Sequence, residues 1–109
     1  MSDVLVVLCT CPDSATADSL ATGLVENGFA ACVNILPEIR SIYRWENETQ
    51  RDSEVLMVIK TCHDAYAKLE SWLVDHHPYE VPEVLALPAE QGAEKYLEWI
   101  IQETTRAGG

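Results

Sequence analysis

The side chains best suited to chemistry in this sequence are four cysteines, Cys9, Cys11, Cys32 and Cys62, and the adjacent pair His76-His77. A thiol beside an imidazole can act as a nucleophile, and thiolate with imidazole also suits copper or zinc. The spacing marks neither use. The cysteines match no zinc ribbon, finger or CxxC redox pattern. The chain holds no nucleophile elbow, phosphate loop or HExxH sequence, so it reads as a protein that is not an enzyme. Cys9 and Cys11 lie two residues apart; on a strand their Cα atoms would stand about 6.6 Å apart, near the upper limit for a disulfide, so free thiols are expected. Cys32 has no basic residue close in sequence that would activate it. It reads as a packing residue facing the core or a subunit cleft, and Cys11 and Cys62 read as structural too.

A single domain spanning residues 1–109 must position these groups. A chain of 109 residues is one domain long and can hold one core. Asp3 to Thr10 is a short, β-branched apolar run, which predicts a buried central strand ended by Pro12. Asp13 or Ser14 can cap a helix whose apolar stripe is Ala17, Leu20, Ala21, Leu24 and Val25, with Gly28 as its stop. Ala30 to Trp45 reads as a long second strand, bent or bulged at Pro37. The polar stretch Asn47 to Asp52 reads as a hairpin tip, and Ser53 to Thr61 as a third strand. Two such strands project beyond a small domain and leave open edges, which is the hint of an oligomer. Asp64 can cap a second helix with Tyr66, Leu69 and Leu73 on one face and Trp72 beside them. That helix must end by His77, because Pro78 disfavours helical geometry in the residue before it. Val81 to Leu87 is expected as a fourth strand, and Ala93 starts a third helix with Tyr96, Leu97, Ile100 and Ile101 on one face. Arg106 to Gly109 is expected to fray. The fold class is therefore α+β: a ferredoxin-like βαββαβ sandwich with an added C-terminal helix and a long β2-β3 arm.

Charge narrows the partners. Eighteen acidic side chains against seven basic ones give a net charge of -11. Such a surface repels phosphate backbones and anionic lipid, so no nucleic acid and no membrane partner is expected. No run approaches a membrane span and Val4 to Leu8 is too short for a signal core, so a cytoplasmic location with reduced thiols is expected.

Four blocks carry a family resemblance: Val7-Leu-Cys-Thr-Cys-Pro-Asp13, Ala30-Ala-Cys-Val-Asn-Ile35, Ser41-Ile-Tyr-Arg-Trp-Glu46 with Glu54 and Ile59-Lys-Thr61, and His76-His-Pro-Tyr-Glu-Val-Pro-Glu83. In this order they resemble the CutA family of divalent-cation tolerance proteins across nearly the whole chain, and Tyr96-Leu97-Trp99 resembles its closing helix. The resemblance implies a homotrimer paired through the long second and third strands and a fold akin to PII-type signalling proteins. It implies a role in tolerance of copper and other divalent cations, and no catalytic reaction. The family's copper ligands map onto Cys9, His76 and His77, which would take Cu2+, Cu+ or another divalent cation such as zinc. Adjacent helical residues point about 100° apart, so both imidazoles could reach one ion only where the backbone leaves the helix. The alternative readings are Cys9 as a small core hydrophobe and His77 as a helix-end residue. At the hairpin the family often carries glycine and lysine where this chain has Asn47 and Glu48. Asn47 tolerates the turn, and Glu48 removes a positive charge. Lys60, Tyr79, Glu54 and Glu83 are candidates to line an inter-subunit cleft, which would make the chain a PII-like small-molecule sensor or protein-docking module instead. Their other reading is a buried ion pair of Lys60 with a carboxylate.

Overall fold

Seven elements follow one another in the computed structural model, which describes residues 2–108. They are β1 (Val4–Cys11), α1 (Ser14–Glu26), β2 (Cys32–Trp45), β3 (Glu48–Cys62), α2 (His63–His76), β4 (Leu85–Pro88) and α3 (Glu94–Gly108). The strands form one antiparallel sheet in the order β2-β3-β1-β4. Local chemistry explains the first turn of the chain. Pro12 cannot extend the ladder, and the Asp13 carboxylate accepts the Thr16 backbone N–H at 2.8 Å, starting α1. Gly28, at φ 74°, supplies the left-handed residue that lets the chain leave α1.

Strand alternation divides the sheet into two faces. Val7, Cys9, Cys11, Val55, Met57 and Ile59 point toward α1 and α2 and form the core with Ala17, Leu20, Leu24, Leu69 and Leu73. Val25, expected in the α1 stripe, is exposed. A smaller cluster of Val4, Ala31 and Ile100 seats α3. The other face carries Val6, Leu8 and Thr10 of β1 beside Lys60, Val58 and Leu56 of β3. Helices do not cover that face fully. Leu36 is 41% exposed, Leu85 55% and Leu87 46%.

β2 and β3 pair from Cys32↔Lys60 out to Trp45↔Glu48. β1 supports β3 only over Val55 to Cys62, so the outer half is a two-stranded arm, and the molecule reaches 43 Å along its longest axis. Leu36 pairs with Leu56 and Ile39 with Glu54. Three steps on β2 therefore meet two on β3, which is the bulge expected at Pro37.

Several boundaries differ from the sequence reading. The hairpin tip is the two residues Glu46 and Asn47, at φ 50° and 66°, a turn geometry matched to the twist of a hairpin. Residues 48–52 are therefore strand rather than loop. α2 is capped at Cys62 without a side-chain bond, and Asp64 sits in its first turn. β4 is short, because Pro82 lacks a ladder donor and residues 81–84 run unpaired. The helix α3 continues through Gly108, where fraying was expected from Arg106, and Gly109 lies outside the described residues. Among the described residues no helix is long and apolar enough to cross a membrane.

Candidate metal centre and the adjoining cavity

Strand geometry brings two of the sulfurs together. Cys9 and Cys11 share the core face of β1, are 0% exposed and are free thiols. His77 joins them from the end of α2. The residue before Pro78 is barred from helical geometry, and His77 takes φ -76° and ψ 140°. That turn carries its ring out of the helix and into the protein, where it is 7% exposed. One ligand atom from each of Cys9, Cys11 and His77 lies within 4.8 Å of the others. His76, one residue earlier, stays outside this group. It is exposed, its Nδ1 lies 2.8 Å from the Trp72 carbonyl, and its ring stacks on Trp72 at 4.2 Å. The expected set of Cys9, His76 and His77 is thus split: the structure joins Cys9 to His77 and adds Cys11. The strand period of two placed Cys11 on the same face as Cys9 from the start.

The group is protonically well defined. The Tyr79 backbone N–H donates to His77 Nδ1 at 3.1 Å, and Nε2 lies 2.8 Å from the Thr10 carbonyl. An N–H donor at Nδ1 and a carbonyl acceptor at Nε2 fix the tautomer protonated on Nε2. Hydrogen bonding to Cys11, together with burial, pushes the Cys9 thiol well above its ordinary range, and the charges of Cys11, Glu83 and Glu54 add to this. The same bond lowers Cys11 against the opposing effect of burial. Cys11 is therefore the first of the pair to ionise, with the Cys9 S–H donating to it. Ligation would require both thiols to lose their protons and the imidazole to give up one hydrogen bond.

Thr10 separates this group from a cavity of about 740 Å³ at the root of the arm. Its walls come from Ser41, Ile42, Tyr43 and Trp45, from Asp52 and Glu54, and from the loop carrying Tyr79, Glu80, Val81 and Glu83. Glu54, 8% exposed, accepts the Tyr79 hydroxyl at 2.6 Å, and the Tyr43 hydroxyl donates to Asp52. Burial, then the bond to Glu54, raises the Tyr79 phenol; the bond to Asp52 raises that of Tyr43. Of the polar residues expected at an inter-subunit cleft, Glu54, Tyr79 and Glu83 line this cavity within one chain. Lys60 does not line the cavity; its amine donates to the Asn34 side-chain oxygen, an amide partner in place of the expected carboxylate. Cys32 is half-buried beside Asn34, and Cys62 accepts the Thr104 hydroxyl at 3.0 Å.

Comparison with known proteins adds an independent line. The family model described as "CutA1 divalent ion tolerance protein" matches residues 5–103. The divalent-cation tolerance protein CutA of Thermus thermophilus is 46% identical over 99 residues, covering 91% of this chain and 96% of that protein. Protein CutA of mouse is 48% identical over 95 residues, or 87% of this chain, which spans about half of the mouse protein's length (54%). The solved divalent cation tolerance protein of T. thermophilus superposes with a TM-score of 0.91 at 44% identity, covering 93% of this chain and 98% of that one. The two T. thermophilus matches are named for cation tolerance rather than for an enzymatic reaction.

Proposed function

The chain belongs to the CutA1 divalent ion tolerance family, and from that membership we propose that it is a non-enzymatic, cytoplasmic metal-ion response protein. In this reading it holds copper, or zinc in its place, between Cys9, Cys11 and His77. The observation that carries the reading is the convergence of two thiols and one imidazole within 4.8 Å in a water-poor setting. Two sulfurs and a ring nitrogen form a donor set that favours Cu(I) or Zn(II) over hard cations such as magnesium. Binding would release protons, because Cys9 is held protonated by its bond to Cys11 and by burial. His76 has no part in this ligand set, since its ring is committed to Trp72.

We read the strand order as the ferredoxin-like arrangement and the working state as a homotrimer joined through β2 and β3. The support is physical. A two-stranded ribbon is marginal by itself, yet this one exposes Ile42, Tyr43 and Trp45 (64%, 42% and 43%). The half-covered sheet face adds Leu36, Leu85 and Leu87. Apolar surface of this extent marks an interface. Four free thiols fit a reducing compartment.

Calorimetric titration of reduced protein with Cu(I), with mass checked by light scattering, tests the reading. One ion per subunit of a trimer is expected, lost in Cys9→Ser and in Cys11→Ser and kept in His76→Ala. Equal binding by Cys9→Ser and the wild type would remove the metal centre, and a monomeric mass would remove the arm's proposed role. The cavity favours a second reading, a PII-like sensor of a small molecule, because its size lies within the range of ligand sites.

A further inference from the structure

One asparagine in the sequence precedes a glycine, Asn27 before Gly28; Asn34 precedes isoleucine and Asn47 glutamate. An asparagine in that position is open to attack by the following backbone nitrogen, because glycine has no side chain to obstruct the approach. The pair closes α1, away from the arm and from the half-covered sheet face, and Asn27 is exposed to water.

The native helix end holds the reacting atoms apart. The Phe29 N–H bonds the Leu24 carbonyl at 2.9 Å and the Gly28 N–H bonds the Val25 carbonyl at 3.0 Å, with Gly28 at φ 74°. This is the paired closure of a helix on a left-handed glycine, and it engages the attacking nitrogen. The Asn27 side chain is engaged as well, since Nδ2 donates to the Gly23 carbonyl at 2.8 Å and so turns back along the helix. Asn27 itself stands at ψ -3°. A succinimide ring needs Cβ and the next backbone nitrogen nearly eclipsed about the Cα–C bond. At a ψ near zero it is the Asn27 backbone nitrogen that eclipses the Gly28 nitrogen, and Cβ is splayed away from it.

We propose that Asn27-Gly28 is a site of spontaneous deamidation gated by opening of the α1 terminus. Once the last turn opens, ψ is free. The Gly28 nitrogen attacks Cγ of Asn27 and gives up its proton, the Cγ–Nδ2 bond breaks, and the side-chain nitrogen leaves as ammonia. Water then opens the succinimide at either carbonyl, leaving aspartate or isoaspartate. Nothing is oxidised or reduced, and water is the one co-reactant. Neither product closes the helix as asparagine does. Aspartate puts a carboxylate where Nδ2 donated to the Gly23 carbonyl, beside Glu26 and at the negative end of the helix dipole. Isoaspartate also adds a methylene to the main chain, which shifts Gly28 out of register with Val25. Either change loosens the seat of Phe29 against the core that contains Leu24. The isoaspartyl form carries a free α-carboxylate at an exposed helix end, the chemistry that a carboxyl methyltransferase would recognise.

The test is incubation of the full chain at mildly alkaline pH, in native buffer and in guanidinium chloride above the unfolding midpoint. Peptide mapping by mass spectrometry follows the amide-to-acid mass gain, and enzymatic methyl transfer reports isoaspartate. In denaturant, Asn27 should convert ahead of Asn34 and Asn47. In native buffer, its rate should fall by about tenfold or more, because opening must precede attack. Asn27→Asp, which installs one product directly, should melt several degrees below the wild type. Equal rates at Asn27 in the native and unfolded chain would overturn the gate. Conversion led by Asn34 or Asn47 in denaturant would overturn the site. An Asn27→Asp variant as stable as the wild type would show that the amide donor does not hold the helix end, and would remove the consequence drawn for the aspartyl product.

Discussion

Replacing His77 by alanine should be far more damaging than the same change at His76, although the two are neighbours of one type. His77 is 7% exposed and bridges two backbone groups, the Thr10 carbonyl at 2.8 Å and the Tyr79 N–H at 3.1 Å. Alanine leaves both without a partner. An abandoned buried group costs about 1–3 kcal/mol, and the cavity left by the ring adds to that. Access of water to one of the two groups from the adjoining cavity offsets part of the loss, so we expect about 3 kcal/mol in total. His76→Ala removes an exposed ring that stacks on Trp72 and touches the helix-end carbonyl of Trp72. Water can replace that bond, so the cost should stay at about 1 kcal/mol or below. The assay is urea and thermal unfolding followed by circular dichroism at one fixed protein concentration, since association shifts apparent stability. At about 4–8 °C per kcal/mol for a domain of this size, His77→Ala should melt roughly 10 °C or more below His76→Ala. His77→Gln, whose amide can both donate and accept, should recover part of the difference. Two alanine variants within about 0.5 kcal/mol of each other would refute the bridging role of His77, and with it the fixed tautomer.

Three further outcomes are expected. A Cβ at Gly23 would lie 2.4 Å from Cη2 and 2.5 Å from Cζ2 of Trp72, so Gly23→Ala should destabilise, overpacking at about 1–3 kcal/mol outweighing a helix gain of about 1 kcal/mol. In a Trp72→Phe background those two atoms are gone and the same change should stabilise; one sign in both backgrounds would sink the argument. The Asp13 carboxyl is held below its ordinary value by the backbone, then the side-chain, hydrogen bond with Thr16. Its contribution is therefore complete above the unfolded pKa of about 3.9 and is lost as pH falls through the lower folded value. Asp13→Asn should keep the cap and flatten the acid limb of a stability–pH curve, and coincident limbs would disprove the capping role. Native alkylation with iodoacetamide followed by peptide mapping should label half-buried Cys32 first. Cys9, Cys11 and Cys62 are at most 2% exposed, and Cys9 is also held protonated by its bond to Cys11 and by burial; labelling of Cys9 as fast as Cys32 would contradict this.

The parts of the molecule that announce themselves in sequence are those where one residue pattern serves one purpose. β1 and α1 are legible because period-2 and period-3.6 apolar spacing both point at a single core. Pro37 marks its bulge and Gly28 its helix exit by the same directness. The arm is half legible. Residues 48–52 are all polar and read as loop, because a ribbon exposed on both sides has no buried face to impose alternation, and only the turn at Glu46-Asn47 shows that they are strand. Val81 to Val84 fails the other way: the residues suit a strand, but Pro82 denies the ladder a donor and the segment walls the cavity instead.

The candidate centre shows the same division at finer grain. Pro78 told that the helix ends before it, and that rule is enough to separate two adjacent histidines, since only the residue forced out of helical geometry can swing inward. The strand period told that Cys11 shares the face of Cys9. Both signals are local, and together they give Cys9, Cys11 and His77 rather than Cys9, His76 and His77. Nothing local gathers Asp52, Glu54, Glu80 and Glu83, which meet only because the β3 root and the loop after α2 are packed against the end of β1. Of the four only Glu54 is buried, and the Tyr79 hydroxyl satisfies it, while the other three stay in contact with water.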